Sequence, residues 1–187
     1  PRSTLFPYTT LFRSPSGVVA VAAVGGIRRD LRPGDLLIPH QIIDYTWGRE
    51  SSYHVWPERA VEHVDFTEPY DAALRRRLRQ AAAAIGVPVG DFAVYAATQG
   101  PRLETAAEID RLERDGADVV GMTGMPEAVL ARELALPYAA VNVVANYAAG
   151  RGEAVGGGLD METIQAVLRE SMPSVRAILL ELLASDD

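Results

Sequence analysis

Apolar residues in this chain fall into short unbroken runs separated by longer amphipathic stretches. Residues 17–24 (GVVAVAAV) are wholly apolar and are followed by Gly25-Gly26. A run that short with no polar face predicts a buried strand closed by a glycine turn. Residues 35–39 (DLLIP) follow the turn formers Arg32-Pro33-Gly34 and predict a second strand. Residues 41–65 mix polar and aromatic side chains without a period, which predicts a long irregular excursion. Glu68-Pro69 opens a helix to about Ile85, with Ala73, Leu74, Leu78 and Ala81 on its apolar side. Gly86 ends it, and Val87-Pro88 prevents its return.

Residues 92–98, 118–122 and 138–145 read as three further strands. Helices from about Glu104 to Arg114, and from Pro126 through Glu133, separate them. A glycine-rich stretch, 150–158, leads to a terminal helix from Asp160 to about Leu183. There Ile164, Val167, Leu168, Val175, Ile178, Leu179 and Leu182 keep a helical period. This alternation predicts a single α/β domain with a mixed, mainly parallel sheet flanked by helices.

In open α/β sheets, ligands bind at the carboxyl ends of strands. Three segments occupy such positions: GPRLETAAEI (100–109), GMTGMPEAVLARE (121–133) and VVANYAAG (143–150). They offer a carboxylate (Glu104), a thioether (Met122), a hydroxyl (Thr123) and a carboxamide (Asn146). That set suits a purine nucleoside and an anion better than a metal or an acyl group. Each residue also has a structural reading. Glu104 in a first helical turn is a favourable carboxylate at the positive end of the helix. Asn146 after a strand is a common turn residue. Met122 is a ready core filler, and Thr123 before Gly124 is a ready cap. Ala23, Val24, Gly25 and Gly26 form a small-residue turn whose backbone N–H groups could approach an anion. Glu127 reads as structural. Gly156-Gly157-Gly158 lacks the Gly-Lys-Ser/Thr of a P-loop and reads as a connector.

Composition narrows the classes. The chain has 187 residues, enough for one domain with a real core. It has no cysteine, hence no disulfide framework and no thiolate nucleophile, which fits a reducing, cytoplasmic setting. Three histidines, His40, His54 and His63, make a zinc site unexpected. The net charge of −7 argues against a nucleic-acid partner. No apolar run is long enough to cross a membrane. All 18 basic residues are arginine, which points to a GC-rich genome rather than to function.

Residues 1–14 stand apart. Within them TLFPYTTLFRS (4–14) resembles the direct translation of a common sequencing-adapter oligonucleotide. The expectation is a non-native segment at 1–14 joined to a domain spanning 15–187; the alternative is a native N-terminal arm.

Four separated motifs recur in order: Arg32-Pro33-Gly34-Asp35, Glu68-Pro69-Tyr70, Gly100-Pro101-Arg102-Leu103-Glu104-Thr105, and Met122-Thr123 with Met125-Pro126-Glu127. Together they resemble the trimeric purine nucleoside phosphorylase and methylthioadenosine phosphorylase family, over essentially residues 17–183. The resemblance implies the nucleoside phosphorylase fold and phosphorolysis of a purine nucleoside, most closely S-methyl-5′-thioinosine. Inorganic phosphate would be the co-substrate, and no metal or organic cofactor would be needed. Position by position, Met122 would lie on the ribose with Val24 and Gly25 nearby, and Thr123 would contact phosphate with backbone help from Ala23. Glu104 and Asn146 stand where 6-oxopurine enzymes carry these residues, and Ala148 lacks the aspartate of adenine-type relatives. Leu103 stands where the family stacks an aromatic ring on the base. His63 stands where a residue reaches into the neighbouring subunit, which implies a homotrimer. Ala22 and Ala145 depart from polar residues usual at their positions. The family's N-terminal phosphate loop and Arg-His pair would lie upstream of Pro15, so this chain alone is expected not to turn over. Methylthioadenosine or general purine nucleosides remain alternative substrates, and a non-catalytic nucleoside-binding fragment is the alternative of another class.

Overall fold

The computed structural model describes residues 16–54, 60–152 and 161–185. Six strands form one mixed sheet: β1 (Val18–Gly26), β2 (Leu36–Leu37), β3 (Gln41–Asp44), β4 (Val94–Ala97), β5 (Val119–Gly121) and β6 (Tyr138–Tyr147). Four helices accompany them: α1 (Ala72–Ala84), α2 (Ala106–Arg114), α3 (Gly124–Glu133) and α4 (Met161–Ala184). The strand order is β2-β6-β1-β5-β4-β3. The β3·β4, β4·β5 and β1·β6 pairs are parallel, and the β1·β5 and β2·β6 pairs antiparallel. The mixed, mainly parallel sheet is therefore observed, with β6 and β1 running one way and β2, β5, β4 and β3 the other.

Alternation along the strands divides the core between two faces. Ala139, Val141 and Val143 of β6 pack with Leu78 of α1 and Ile178 of α4. Ala96 and Val120 pack with Ile109 and Leu112 of α2 on the same side of the sheet. Tyr95, Val119, Ala140 and Val144 point the other way, onto Met125 and Ala128 of α3. The sheet lies between α1, α2 and α4 on one side and α3 on the other.

Several boundaries differ from expectation. Gly25-Gly26 is not a turn: both residues end β1 and pair with Val120 and Val119. The second strand shrinks to Leu36–Leu37, since only these meet β6. The excursion at 41–65 begins as a regular strand, Gln41–Asp44, which pairs with Val94–Ala97. Helix α2 begins later than expected because Thr105 is its N-cap. Thr105 accepts from the Glu108 N–H, and Glu108 accepts from the Thr105 N–H, which forms a capping box. Glu104 lies before that cap, so the first-turn carboxylate is Glu108. Both the 1–14 segment and the Gly156-Gly157-Gly158 connector fall outside the described residues. Among the described residues no helix is long and apolar enough to cross a membrane.

One irregularity carries consequences for the site. Val24 pairs with Val144, but Gly25 pairs with Asn146, so Ala145 is an extra residue in β6. Such a bulge reverses which face the following side chains occupy. Without it Asn146 would share the α3 side with Val144; with it, Asn146 and Ala148 join Gly25 on the α2 side.

The α2 cap gives the fold a pH signature. Arg102 bonds both Glu108 carboxylate oxygens, at 2.7 and 2.8 Å. This pairing, with the Thr105 N–H, holds the Glu108 carboxyl at about 2, below its usual 4.5. A lowered folded value means the stabilisation is full above the unfolded value and fades as pH falls toward the folded one. Thermal denaturation of Glu108→Gln should therefore show a lower Tm than the parent at neutral pH. The gap should close as pH falls from about 4.5 to about 2. A gap independent of pH would contradict this role.

Candidate functional site

The site follows from the register of the central strands. Ala96 and Ala97 pair with Val120 and Gly121, so β4 and β5 end level with each other. Thr98 continues the ladder by donating its N–H to Gly121 O at 2.8 Å. On the other side of β5, Gly25 has Val120 as one Cα partner and Asn146 of β6 as the other. This brings the ends of β4, β5 and β6 together although the strands do not all run the same way. The expected convergence at carboxyl ends is met by a three-residue β5 that stops partway along β1.

Glu104 sits on the loop between β4 and α2, partly buried. The Thr98 hydroxyl lies 2.7 Å from its Oε1 and 3.2 Å from Gly121 O. A hydroxyl donating to Oε1 fixes the carboxylate and leaves its second oxygen able to accept. Glu104, Thr98, Gln99, Tyr45, Trp47 and Arg111 line a pocket of about 290 Å³. Tyr45 donates to Asp115 Oδ2 at 2.7 Å. Burial, then the Asp115 hydrogen bond and charge, push its phenol up to about 12, so it stays a neutral donor. Trp47, 73% exposed, offers an aromatic face beside Glu104. Leu103 is half exposed and is not among the residues lining this pocket.

Asn146 stands at the end of β6, half-buried. Its Nδ2 donates to Tyr147 O at 2.7 Å. The carboxamide is therefore held at the sheet end, on the side where α2 packs, rather than being a loop turn residue.

Met122 follows β5, and its thioether packs on Gly100 of the Glu104 loop. Thr123 is at the N-cap position of α3 but makes no capping bond with its side chain, contrary to the structural reading of it. Instead the Tyr95 hydroxyl receives the N–H groups of Thr123 and Gly124, at 3.1 and 3.4 Å. Thr123 is exposed and opens into a second pocket, with Val19, Val21, Tyr53 and Leu130. That pocket flanks the edge of β1 that faces away from β6, which over Val18–Val24 has no strand partner among the described residues because β5 reaches only Gly25 and Gly26. The structure thus separates Thr123 from the Glu104 pocket, with Met122 and Gly100 between them.

Of the β1 residues, Ala23 is exposed, whereas Val24 is buried in the core, so it could meet a ligand only through its backbone. His63 is exposed on the excursion and lines neither of these two pockets. Among the described residues no group of acids and histidines could hold a metal ion. Three site-forming residues escaped sequence reasoning. Thr98 and Tyr95 read only as strand residues. Arg49 lay in a stretch without a period, yet all five of its N–H groups reach oxygens of the Thr98–Gln99 and Met122–Met125 segments.

The family model described as "Phosphorylase superfamily" matches residues 6–184. A protein of Pseudomonas syringae pv. tomato named "Probable S-methyl-5'-thioinosine phosphorylase" is 51% identical over 168 residues, covering 90% of this chain and 67% of that protein. The "6-oxopurine nucleoside phosphorylase" of Pyrococcus furiosus is 47% identical over 138 residues, covering 71% of this chain and 52% of its own length. The solved structure of methylthioadenosine phosphorylase from Schistosoma mansoni in complex with adenine superposes with a TM-score of 0.86 at 28% identity. It covers 95% of this chain and 68% of that one. The chain thus spans between half and two thirds of the length of these curated relatives.

Close packing at the end of β5 yields a test. A Cβ at Gly121 would overlap the Tyr95 hydroxyl and stand 2.8 Å from the carbon bearing it. Gly121→Ala should cost about 1–3 kcal/mol, the usual range for overpacking. In a Tyr95→Phe background the same change should cost less, because the most crowded atom is gone. Denaturant unfolding of the four proteins measures this coupling, and strictly additive costs would refute it.

Proposed function

The chain belongs to the phosphorylase superfamily, and from that premise we propose that the whole protein phosphorolyses a purine nucleoside. The preferred substrate is S-methyl-5′-thioinosine, which gives hypoxanthine and 5-methylthioribose 1-phosphate. The observation that carries this reading is the β6 bulge at Ala145, which puts Asn146 on the α2 side of the sheet, where the loop bearing Glu104 leads into that helix. A carboxylate accepts from N1–H of a 6-oxopurine, and a carboxamide donates to N7 or O6. No aspartate stands at Asn146 or Ala148, which favours 6-oxo over 6-amino bases. The names of the Pseudomonas and Pyrococcus relatives support the same choice.

In the proposed reaction, phosphate attacks C1′ from one face as the purine leaves from the other. The bond from C1′ to N9 breaks with its electron pair going to the purine, and the bond from C1′ to a phosphate oxygen forms. Positive charge builds on the ribose between these events, and the phosphate anion stabilises it. Asn146 counters the negative charge on the departing base, a contact that strengthens along the reaction and so lowers the barrier. Glu104, held by Thr98, retains N1–H. Met122 packs on the ribose, Thr123 contacts phosphate with backbone help at Ala23, and Leu103, outside the pocket lining, would have to turn inward to give the base an aliphatic neighbour. Inorganic phosphate is the only co-reactant, and no metal or organic cofactor enters.

The unpartnered β1 edge beside Thr123 supports a further part of the proposal. The chain spans about two thirds of the length of its Pseudomonas relative, and in this proposal the phosphate loop and an Arg-His pair belong to the part of the whole protein that it does not span. His63 completes a neighbouring site in a homotrimer. Residues 1–14 make no functional contribution.

The test uses the whole protein with its native upstream sequence. Release of hypoxanthine from S-methyl-5′-thioinosine should require phosphate and should exceed release of adenine from methylthioadenosine. Asn146→Ala should lower kcat about 10²–10³-fold, as loss of one such donor does elsewhere. Unchanged turnover in Asn146→Ala would refute its role. Binding without turnover in the whole protein would favour a nucleoside-binding module instead.

A further inference from the structure

We propose that Arg49 is a positioning residue that locks the base-side loop and the phosphate-side loop of the site into one fixed relation. The proposal rests on the phosphorolysis reading for what the loops do, though not for how Arg49 holds them. A guanidinium carries five N–H groups in a rigid planar fork and cannot lose its charge in a protein. In this chain every one of them is used. Nε donates to Gln99 Oε1 at 3.2 Å. Nη2 donates to Thr98 O at 3.2 Å and Gln99 O at 2.9 Å. Nη1 donates to Met122 O at 2.8 Å and also to Met125 O.

The acceptors belong to two segments and no others. Thr98 and Gln99 start the loop that carries Glu104, and Thr98 itself holds the Glu104 carboxylate. Met122 and Met125 bracket Thr123 at the entry to α3. Carbonyls just past strand ends have lost their ladder partners, so a cation with a fork of donors satisfies several at once. Among the described residues no carboxylate pairs with Arg49, so its charge is spent on four backbone carbonyls and one side-chain amide rather than on an ion pair. Gln99 Oε1 also receives the Trp47 backbone N–H at 3.1 Å, which ties the excursion that bears Arg49 to the same node. A lysine at this position has three donors on a single point and cannot bridge both loops.

Two measurements test this. In the whole protein, Arg49→Lys should lower kcat/KM on the order of 10²-fold, the scale of a small misplacement of reacting groups. Both the nucleoside KM and the phosphate KM should rise, because both loops are released. Methylguanidinium should restore part of the activity of Arg49→Ala but should not improve Arg49→Lys. If Arg49→Ala does not fold, Arg49→Lys alone decides. The second measurement needs no turnover: methionine methyl NMR reads the four methionines of the chain. In Arg49→Lys the Met122 and Met125 signals should shift with the Trp47 backbone amide signal, while those of Met161 and Met172 in α4 stay in place. Unmoved Met122 and Met125 signals, or parent-like activity, would overturn the proposal. A rise in the phosphate KM alone would also overturn it, in favour of Arg49 as a direct anion ligand. If the parent protein turns over no purine nucleoside, the phosphorolysis reading fails, and the NMR result still decides the role of Arg49.

Discussion

Three strands meet at Gly25. Val120 of β5 is its partner on one side and Asn146 of β6 on the other. A Cβ at Gly25 would stand 3.2 Å from Val120 Cγ1 and 3.4 Å from Ala148 Cα, so a larger residue would press these neighbours apart by a few tenths of an ångström. The site depends on this close approach. It seats β5 beside the end of β1, and it lies at the register shift where the extra residue Ala145 turns Asn146 toward α2.

The loops around that junction are held from both polar sides of the backbone. The Tyr95 hydroxyl takes N–H groups from the Thr123 turn, and the Arg49 fork takes carbonyls from the same turn and from the neighbouring loop. Thr98 fixes Glu104 and ties β4 to β5. A buried backbone group without a partner is costly, so each of these bonds both stabilises the turn and limits where its side chains can go. Thr123 shows the effect: its N–H is held by Tyr95 while its hydroxyl makes no cap, and that hydroxyl is left facing a pocket.

Much of the fold was legible because it rests on local pattern. Continuous apolar runs located β1, β5 and β6, and helical periods located α1 and α4. The misreadings have physical causes. Gln41–Asp44 is four residues without alternation, and only pairing with β4 makes it a strand. Gly25-Gly26 has the composition of a turn but serves close strand approach. The antiparallel β1·β5 pair and the Ala145 bulge leave no local mark, because register is decided between strands. The site chemistry was legible in type, as carboxylate, carboxamide, thioether and hydroxyl. The residues that hold it were not: Arg49 acts on acceptors about fifty to seventy-six positions away, a distance that no window of sequence covers.

The most direct measurement is a crystal structure of the whole protein with hypoxanthine and phosphate bound. Glu104 should accept from N1–H of the base, and the Asn146 carboxamide should leave Tyr147 O to donate to N7 or O6, with Ala145 still bulged from β6. A base bound elsewhere, or an Asn146 still bonded to Tyr147 O while hypoxanthine occupies the Glu104 pocket, would contradict the assignment.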